Sequence, residues 1–269
     1  MRVHALVVTG YGTNCEQECA YAAQKAGADA VTIAFFFDLL AERVRLTDFQ
    51  FLILPGGFLD GDDLGAAQAA AVRWRHARTQ SGQSLVDDLA AFLDAGGIIL
   101  GICNGFQLLV KLGLLPGLDG QRFVRQVSLG HNDSARFEDR WVSLRIDPAS
   151  PCVFTRGLDG VLEMPVRHGE GKLITASPEI LSRIQADHLA PVAYCDPSTG
   201  LPTQDYPANP NGSPMGIAGL TDPTGRIFGL MPHPEAFNHF TNHPRWTRGE
   251  RPPLGLEIFA RGIEYLRTR

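Results

Sequence analysis

Cys103 is the residue of this chain best placed for covalent chemistry. It stands at the centre of Gly101-Ile102-Cys103-Asn104-Gly105, between an apolar run and a helix-like apolar segment. This pattern is typical of a nucleophile elbow with cysteine in place of serine, because the glycines remove Cβ atoms that would clash in so strained a turn. The start of the following helix, with its unpaired N–H groups and positive dipole end, favours the thiolate. The alternative is a small buried hydrophobic residue, which describes most free cysteines.

A thiolate that attacks an amide needs a group that protonates the departing ammonia and later activates water. Among the eight histidines, His233 is the best candidate, since it follows a strand-like run and lies in Pro232-His233-Pro234-Glu235. The prolines stiffen this segment, and Glu235 is close enough to orient the imidazole as the third member of a triad. An isolated histidine is more often structural, but the three residues together predict the triad Cys103, His233 and Glu235.

The tetrahedral intermediate of such a reaction needs an oxyanion hole. The backbone N–H of Asn104, immediately after the nucleophile, is the first candidate donor. A second donor is expected from a neighbouring strand end, and the turn Pro55-Gly56-Gly57-Phe58 is the best available one. We assign the Gly57 N–H as this donor.

The other cysteines and histidines give weaker signals. The five cysteines form no CxxC pair and are too sparse for a disulfide framework, so we expect reduced thiols, with Cys15 in a packing role. His239 and His243 have a spacing that suits a metal ligand pair on a helix. Pro244 and the lack of a third obvious ligand favour a surface loop instead. We therefore predict no metal site.

The elements that must position these residues alternate between strands and helices. Four buried strands and two helices separated by turns imply a mostly parallel sheet covered on both faces, with ligands at the carboxyl ends of its strands. Strands are predicted at residues 3–9, 30–36, 51–54 and 98–102, and helices at 16–26 and 85–95. Shorter strands, some antiparallel, are predicted at 141–146, 161–166, 191–194, 215–220 and 227–231, before a helix at 256–266. Two stretches resemble insertions, with helix plus loop at 66–84 and loop at 196–213.

Length and composition bound the class of protein. A chain of 269 residues with 44% hydrophobic content can bury one substantial core, so we predict a single domain over residues 1–269. The net charge of -5 contains no basic block, which argues against nucleic acid. No apolar stretch approaches the roughly 20 residues that span a bilayer, and the first residues lack a signal-peptide pattern. We expect a soluble cytoplasmic protein without membrane contact.

The motifs resemble those of the class I glutamine amidotransferases, and within that class of the glutaminase subunits of phosphoribosylformylglycinamidine synthase. The resemblance implies a flavodoxin-like open, mostly parallel sheet with helices on both faces and some antiparallel additions. The strings that carry it are Gly-Thr-Asn-Cys-Glu at 12–16, Leu-Pro-Gly-Gly-Phe at 54–58, Gly-Ile-Cys-Asn-Gly-Phe-Gln at 101–107, His-Gly-Glu-Gly at 168–171, Asn-Pro-Asn-Gly-Ser at 209–213 and Gly-Leu-Met-Pro-His-Pro-Glu at 229–235.

The resemblance also implies a function in purine biosynthesis. The chain would hydrolyse L-glutamine through a Cys103 thioester, with Gln107 and Phe58 at the substrate and the backbone of His168, Gly169 and Glu170 at its amino-acid end. The ammonia would pass to the large synthetase subunit, which binds ATP, magnesium and formylglycinamide ribonucleotide. A small accessory subunit completes the usual bacterial complex. No cofactor is expected in this chain, since it has no Gly-rich nucleotide-binding loop with a lysine.

Some residues depart from the family pattern. The family commonly continues Gly-Gly-Phe with Ser-Tyr-Gly-Asp-Tyr, whereas this chain has Leu-Asp-Gly-Asp-Asp at 59–63. Residues 66–84 and the tail after Phe237 are longer than in small members. Two alternative functions keep the same scaffold: a γ-glutamyl hydrolase or peptidase that works alone, and a noncatalytic interaction module.

Overall fold

The computed structural model describes residues 1–249 and 254–269. Within these residues, eleven strands and seven α-helices alternate along the chain. The strands are β1 His4–Thr9, β2 Ala30–Phe35, β3 Phe51–Leu54, β4 Ile98–Ile102, β5 Val127–His131, β6 Glu138–Ile146, β7 Val161–His168, β8 Glu170–Thr175, β9 Val192–Cys195, β10 Gly219–Thr221 and β11 Ile227–Leu230. The helices are α1 Glu16–Lys25, α2 Phe36–Leu40, α3 Gln68–His76, α4 Leu85–Asp94, α5 Asn104–Leu112, α6 Pro178–Ala186 and α7 Leu256–Thr268.

A six-stranded sheet with the order β10-β11-β4-β3-β1-β2 forms the centre of the fold. Its strands pair in parallel, except that β10 runs antiparallel to β11 at one edge. Every residue of β3 and of β4 is buried, as expected for central strands covered on both faces. The predicted open, mostly parallel α/β sheet is therefore confirmed.

The helices form two packed groups around this sheet. α1 packs against α7, while α3 contacts both α4 and α5. α4 illustrates why these segments are helical: its apolar residues recur at helical spacing, so Leu85, Leu89, Phe92 and Leu93 are all buried. In the part of the chain that the structure describes, no helix is both long enough and apolar enough to cross a membrane.

Two smaller antiparallel sheets lie beside the central sheet. One has the order β7-β6-β9, and the other pairs β5 with β8. β7 reaches the central sheet's strand ends, because Val166 bridges to Pro232 and the Pro165 carbonyl accepts the His233 N–H at 2.8 Å. The antiparallel additions thus form a second wall over the carboxyl ends of the parallel strands.

Most predicted elements agree with the structure to within a few residues. The helix in residues 66–84 is α3, and residues 196–213 contain no helix or strand, although Asn209, Asn211 and Ser213 are buried there. The strand predicted at 215–220 is wrong in its first half, because Met215 and Gly216 have positive φ angles of 57° and 72° and form a turn. The predicted extra length after Phe237 falls partly on residues 250–253, which lie outside the described residues.

Candidate active site

The predicted catalytic residues follow neighbouring strands of the central sheet. Cys103 comes directly after β4, the Gly57 turn follows β3 on one side, and His233 follows β11 on the other. Carboxyl ends of parallel strands meet at one edge, so sheet order alone brings the three loops together. The loop that follows β1, which includes Cys15, is the next one along.

Cys103 has the backbone of a strained elbow, with φ of 51° and ψ of -104°. A Cβ on Gly101 would lie 2.8 Å from the Gly105 carbonyl oxygen, and one on Gly105 would lie 1.9 Å from the Leu54 oxygen. The two glycines are therefore required by close packing of α5 on β3 and β4. Positive φ at a non-glycine residue persists only where the surroundings impose it. The thiol held in this position donates to the Arg167 carbonyl at 3.6 Å.

The proposed oxyanion donors both have free N–H groups. Among the described residues, neither the Gly57 nor the Asn104 N–H has a hydrogen-bond acceptor. Gly57 has a φ of 147°, and a Cβ there would lie 2.3 Å from the Gly12 oxygen. The loop after β1 holds this turn in place, because Phe58 donates its N–H to Gly12 at 2.7 Å and Asn14 donates to Gly56 at 3.2 Å. Two preorganised, unpaired donors are what a developing oxyanion requires.

His233 and Glu235 form a buried pair, with the imidazole Nδ1 2.6 Å from the carboxylate Oε1. Burial lowers the pKa of His233, but the charges of Glu235 and Cys103 outweigh it and hold this pKa well above its usual value. With Nδ1–H donated to Glu235, Nε2 is left without a hydrogen-bond partner in the described structure. A free ring nitrogen on a carboxylate-oriented imidazole is the arrangement of a general acid and base.

A cavity of about 590 Å³ opens on one side of Cys103 and contains all the predicted substrate residues. They are Phe58, Gln107, His168, Gly169 and Glu170. Charges of both signs line the same cavity, from Arg136 and Arg167 and from Asp62 and Glu170. A cavity of this composition complements a molecule that carries both an ammonium and a carboxylate group.

The wall formed by His168, Gly169 and Glu170 is fixed by internal hydrogen bonds. The Gln107 amide donates to the Glu170 carbonyl at 2.6 Å, while Asn132 donates to the carbonyls of His168 and Gly169. Burial, together with the nearby charge of His233, lowers the pKa of His168 to about 3. His168 is therefore a neutral structural residue whose Nδ1 bonds to Asn132 at 3.1 Å.

Comparison with known proteins places this site in a family. The CobB/CobQ-like glutamine amidotransferase domain matches residues 2–266. A phosphoribosylformylglycinamidine synthase subunit PurQ from Dehalococcoides mccartyi is 43% identical over 99% of this chain and 98% of its own length. This chain belongs to the PurQ family of glutamine amidotransferases.

Further relatives agree with this assignment. A PurQ subunit from Methanococcus maripaludis is 38% identical over 97% of this chain and 96% of that protein. The human phosphoribosylformylglycinamidine synthase is 38% identical over 83% of this chain but only 17% of the human protein, so the match is one segment of a longer polypeptide. In the solved structure of PurLQS from Thermotoga maritima, one chain superposes with a TM-score of 0.71 at 25% identity, covering 99% of this chain and all of that one.

One link in this PurQ-family site was not predicted from sequence. The Asn104 side chain accepts the Leu59 N–H at 2.8 Å and donates to Asp62 and to the Gln107 amide oxygen. Asn104 thus ties the divergent loop at 59–63 to the first turn of α5. The sequence-based prediction concerned only the backbone of Asn104. Its side-chain hydrogen bond to Asp62 joins residues 42 positions apart and has no local sequence signal.

Two further residues of the amidotransferase have surroundings that the sequence did not indicate. Cys15 is buried, as a packing residue would be, and it also lines a second cavity with Cys103, His233 and Glu235. His243 is buried rather than on a surface loop, since its ring packs edge-on against Trp141 and its Nε2 lies 3.1 Å from Glu163.

Proposed function

We propose that this chain hydrolyses L-glutamine to glutamate and ammonia through a thioester on Cys103. The observation that carries the proposal is the convergence of an elbow cysteine, an oriented histidine and two free N–H groups at adjacent strand ends. The Cys103 thiolate attacks the side-chain amide carbon, and the Gly57 and Asn104 N–H groups stabilise the oxyanion.

His233 acts on both halves of the reaction. Held by Glu235, its protonated ring gives the Nε2 proton to the departing amine, which leaves as ammonia and a γ-glutamyl thioester on Cys103. The neutral ring then takes a proton from water, whose oxygen attacks the thioester and releases glutamate. The raised pKa of His233 supports this sequence, because the imidazolium is present when the leaving group needs its proton.

The glutamine is held in the cavity of about 590 Å³ beside Cys103. Its zwitterionic end lies toward the wall formed by residues 168–170, where arginine and carboxylate side chains both face the cavity. Gln107 lies on α5, one helical turn after Cys103, and lines the same cavity, where it is proposed to contact the substrate. The mixed charge of the lining supports an amino acid rather than an anionic or apolar substrate.

The ammonia is consumed by a partner. PurQ is named as a subunit in the relatives, and the Thermotoga structure is a complex, which supports a large synthetase subunit as the acceptor. ATP and magnesium are proposed to bind on that partner, and this chain is proposed to act as one cytoplasmic domain without a cofactor of its own.

Reconstitution with the synthetase tests the proposal. We expect Cys103→Ala to lower glutamine-dependent product formation at least about 1000-fold while ammonia-dependent formation stays intact. Cys195→Ala is the matched control, because Cys195 is also buried but lies outside both cavities. Rapid cleavage of γ-glutamyl peptides without any gain from the synthetase would instead favour a hydrolase that works alone. If a glutamine-analogue electrophile left Cys103 unmodified in the complex, the chain would be a noncatalytic module.

A further inference from the structure

Cys15 and Cys103 both lie close to Gly56 in the candidate active site. A Cβ built on Gly56 would lie 3.5 Å from the Cys15 Sγ and 3.5 Å from the Cys103 Cβ. The Cys15 sulfur and the Cys103 β-carbon are therefore separated by at most twice 3.5 Å. The same built atom would lie 2.9 Å from the His233 ring. Gly56 therefore places no side chain between the two cysteines, and the His233 ring borders the same space.

Both thiols line a cavity that lies apart from the glutamine wall. This cavity has a volume of about 240 Å³ and is bounded by Asn14, Cys15, Cys103, His233 and Glu235, among others. Small solutes therefore have a route to both sulfur atoms. His233 supplies a second observation, since its Nε2 is buried, has no partner in the described structure and belongs to a ring 3% exposed.

The proposed reaction uses Cys103 and gives Cys15 no task. The hydrogen bond of the Cys15 thiol goes to the neighbouring Asn14 side chain, at 3.1 Å. Burial raises the pKa of Cys15, although His233 partly offsets this, so the thiol stays protonated at neutral pH. Cys103 lies at the start of α5 and beside the His233 imidazolium. Its sulfur is therefore the nucleophile that attacks an oxidant.

We propose that Cys15 is the resolving thiol of Cys103, so that oxidation by a peroxide ends in a reversible Cys15–Cys103 disulfide. This inference rests on the proposed role of Cys103 as the nucleophile. The disulfide stops glutamine hydrolysis, because the Cys103 sulfur can no longer attack an amide. It also protects Cys103 from sulfinic and sulfonic acids, which thiols do not reverse.

The chemistry balances in two steps. The Cys103 thiolate attacks one oxygen of hydrogen peroxide, the O–O bond breaks, and a sulfenic acid and hydroxide form. The Cys15 sulfur then attacks the Cys103 sulfur, the S–O bond breaks, and the hydroxide leaves as water with the proton from Cys15. The free Nε2 of His233 is placed to carry that proton. Cys15 must turn away from Asn14 and its loop must move inward, because a disulfide brings Cβ atoms to within about 4.5 Å.

The other cysteines are poor candidates for this role. Cys19, Cys152 and Cys195 are fully buried and line neither cavity beside Cys103. Burial raises the pKa of each of them, to about 12 for Cys152 and about 11 for Cys195. Cys15 is therefore the partner that the geometry selects.

Oxidation of the full chain in its synthetase complex tests the inference. After hydrogen peroxide, we expect peptide mass spectrometry to find Cys15 joined to Cys103, and dithiothreitol to restore most glutamine-dependent activity. Cys15→Ser should lose activity to peroxide as well, but recover less than about a tenth of its own starting value, with Cys103 as a sulfinic acid. Cys195→Ala should behave as wild type. Cys15→Ala, checked by circular dichroism, repeats the test if the serine variant folds poorly.

Two results would overturn the inference. One is wild-type Cys103 that passes to a sulfinic acid without any disulfide to Cys15, or that pairs with Cys19 instead. The other is a Cys15→Ser variant that recovers as fully as wild type. Labelling by a glutamine-analogue electrophile separates this failure from failure of the proposed function, since only the latter leaves Cys103 unlabelled.

Discussion

The two sides of the candidate site are built by different means. On the reactive side, Cys103, Gly57 and His233 sit at the ends of adjacent parallel strands, and their backbones are fixed by steric contacts. On the binding side, residues 168–170 form the junction between β7 and β8, which belong to two different antiparallel sheets, and they depend on amide side chains such as Gln107 and Asn132. The difference teaches that rigid backbone places the reacting atoms, whereas a side-chain network shapes the substrate wall. Variants on the two sides should therefore fail in different ways.

Loss of the carboxylate beside His233 should have the largest effect. Glu235→Gln removes the largest influence that raises the pKa of His233, so this pKa falls and the ring is less protonated at neutral pH. We expect kcat for glutamine hydrolysis to fall on the order of 10,000-fold, by analogy with removal of the acid from a serine triad. The pH at which kcat changes as His233 loses its proton should shift downward, because the imidazolium is less stable without its carboxylate partner.

The matched control for this variant is Asp147→Asn. Asp147 lies 2.8 Å from His188 in an exposed pair, so the same change there should alter neither kcat nor its pH dependence. An unchanged pH profile in Glu235→Gln would show that Glu235 does not set the charge of His233.

Gly57→Ala tests the backbone of the reactive side. The new Cβ would lie 2.3 Å from the Gly12 oxygen, so the turn must move and take its N–H with it. We expect kcat to fall about 100-fold with little change in KM, as for loss of one oxyanion donor. Gly27→Ala is the control: Gly27 also has a positive φ, of 103°, but nothing lies within 4 Å of its Cβ position. If the variant raised KM and left kcat unchanged, Gly57 would not be an oxyanion donor.

Gln107→Ala tests the binding side and should have the smallest effect. Loss of its bond to the Glu170 carbonyl loosens the wall and removes a proposed substrate contact. We expect KM for glutamine to rise about tenfold, with kcat changed much less, which corresponds to roughly one hydrogen bond. Gln24→Ala, on the exposed face of α1, should leave both constants unchanged. If kcat fell as far as in Glu235→Gln, the division between the two sides would be wrong.

The sequence-based prediction of the reactive side rests on local constraints. The spacing of Gly101, Cys103 and Gly105 follows from one sharp turn, and the prolines around His233 mark a stiff strand end. The central strands were predicted for a similar reason, since continuous burial leaves a continuous apolar run. Their order in the sheet, however, depends on contacts between distant segments and was not predicted.

The elements that were missed depend on partners far away in the chain. β5 and β8 are short, contain glycine and pair only with each other, with an irregular register at Gly130 and His131. α2 has five residues and begins where the Asp38 carboxylate accepts the Phe35 N–H. The roles of Cys15 and of the Asn104 side chain likewise arise from tertiary contacts. The roles predicted for residues 168–170 came from the resemblance to a family, because their spacing in the sequence does not indicate a substrate contact.

The order of the strands also has a consequence during synthesis of the chain. Cys103 leaves the ribosome well before β11, which is the strand that brings His233 and Glu235 to the site. A chain that ends before β11 lacks His233 and Glu235, and it also lacks the Leu230 carbonyl that accepts the Cys103 N–H at 2.8 Å. Under the proposed mechanism, a ribosome-bound or truncated chain of this kind releases no ammonia from glutamine. Completion of the polypeptide would then set when the reaction can start.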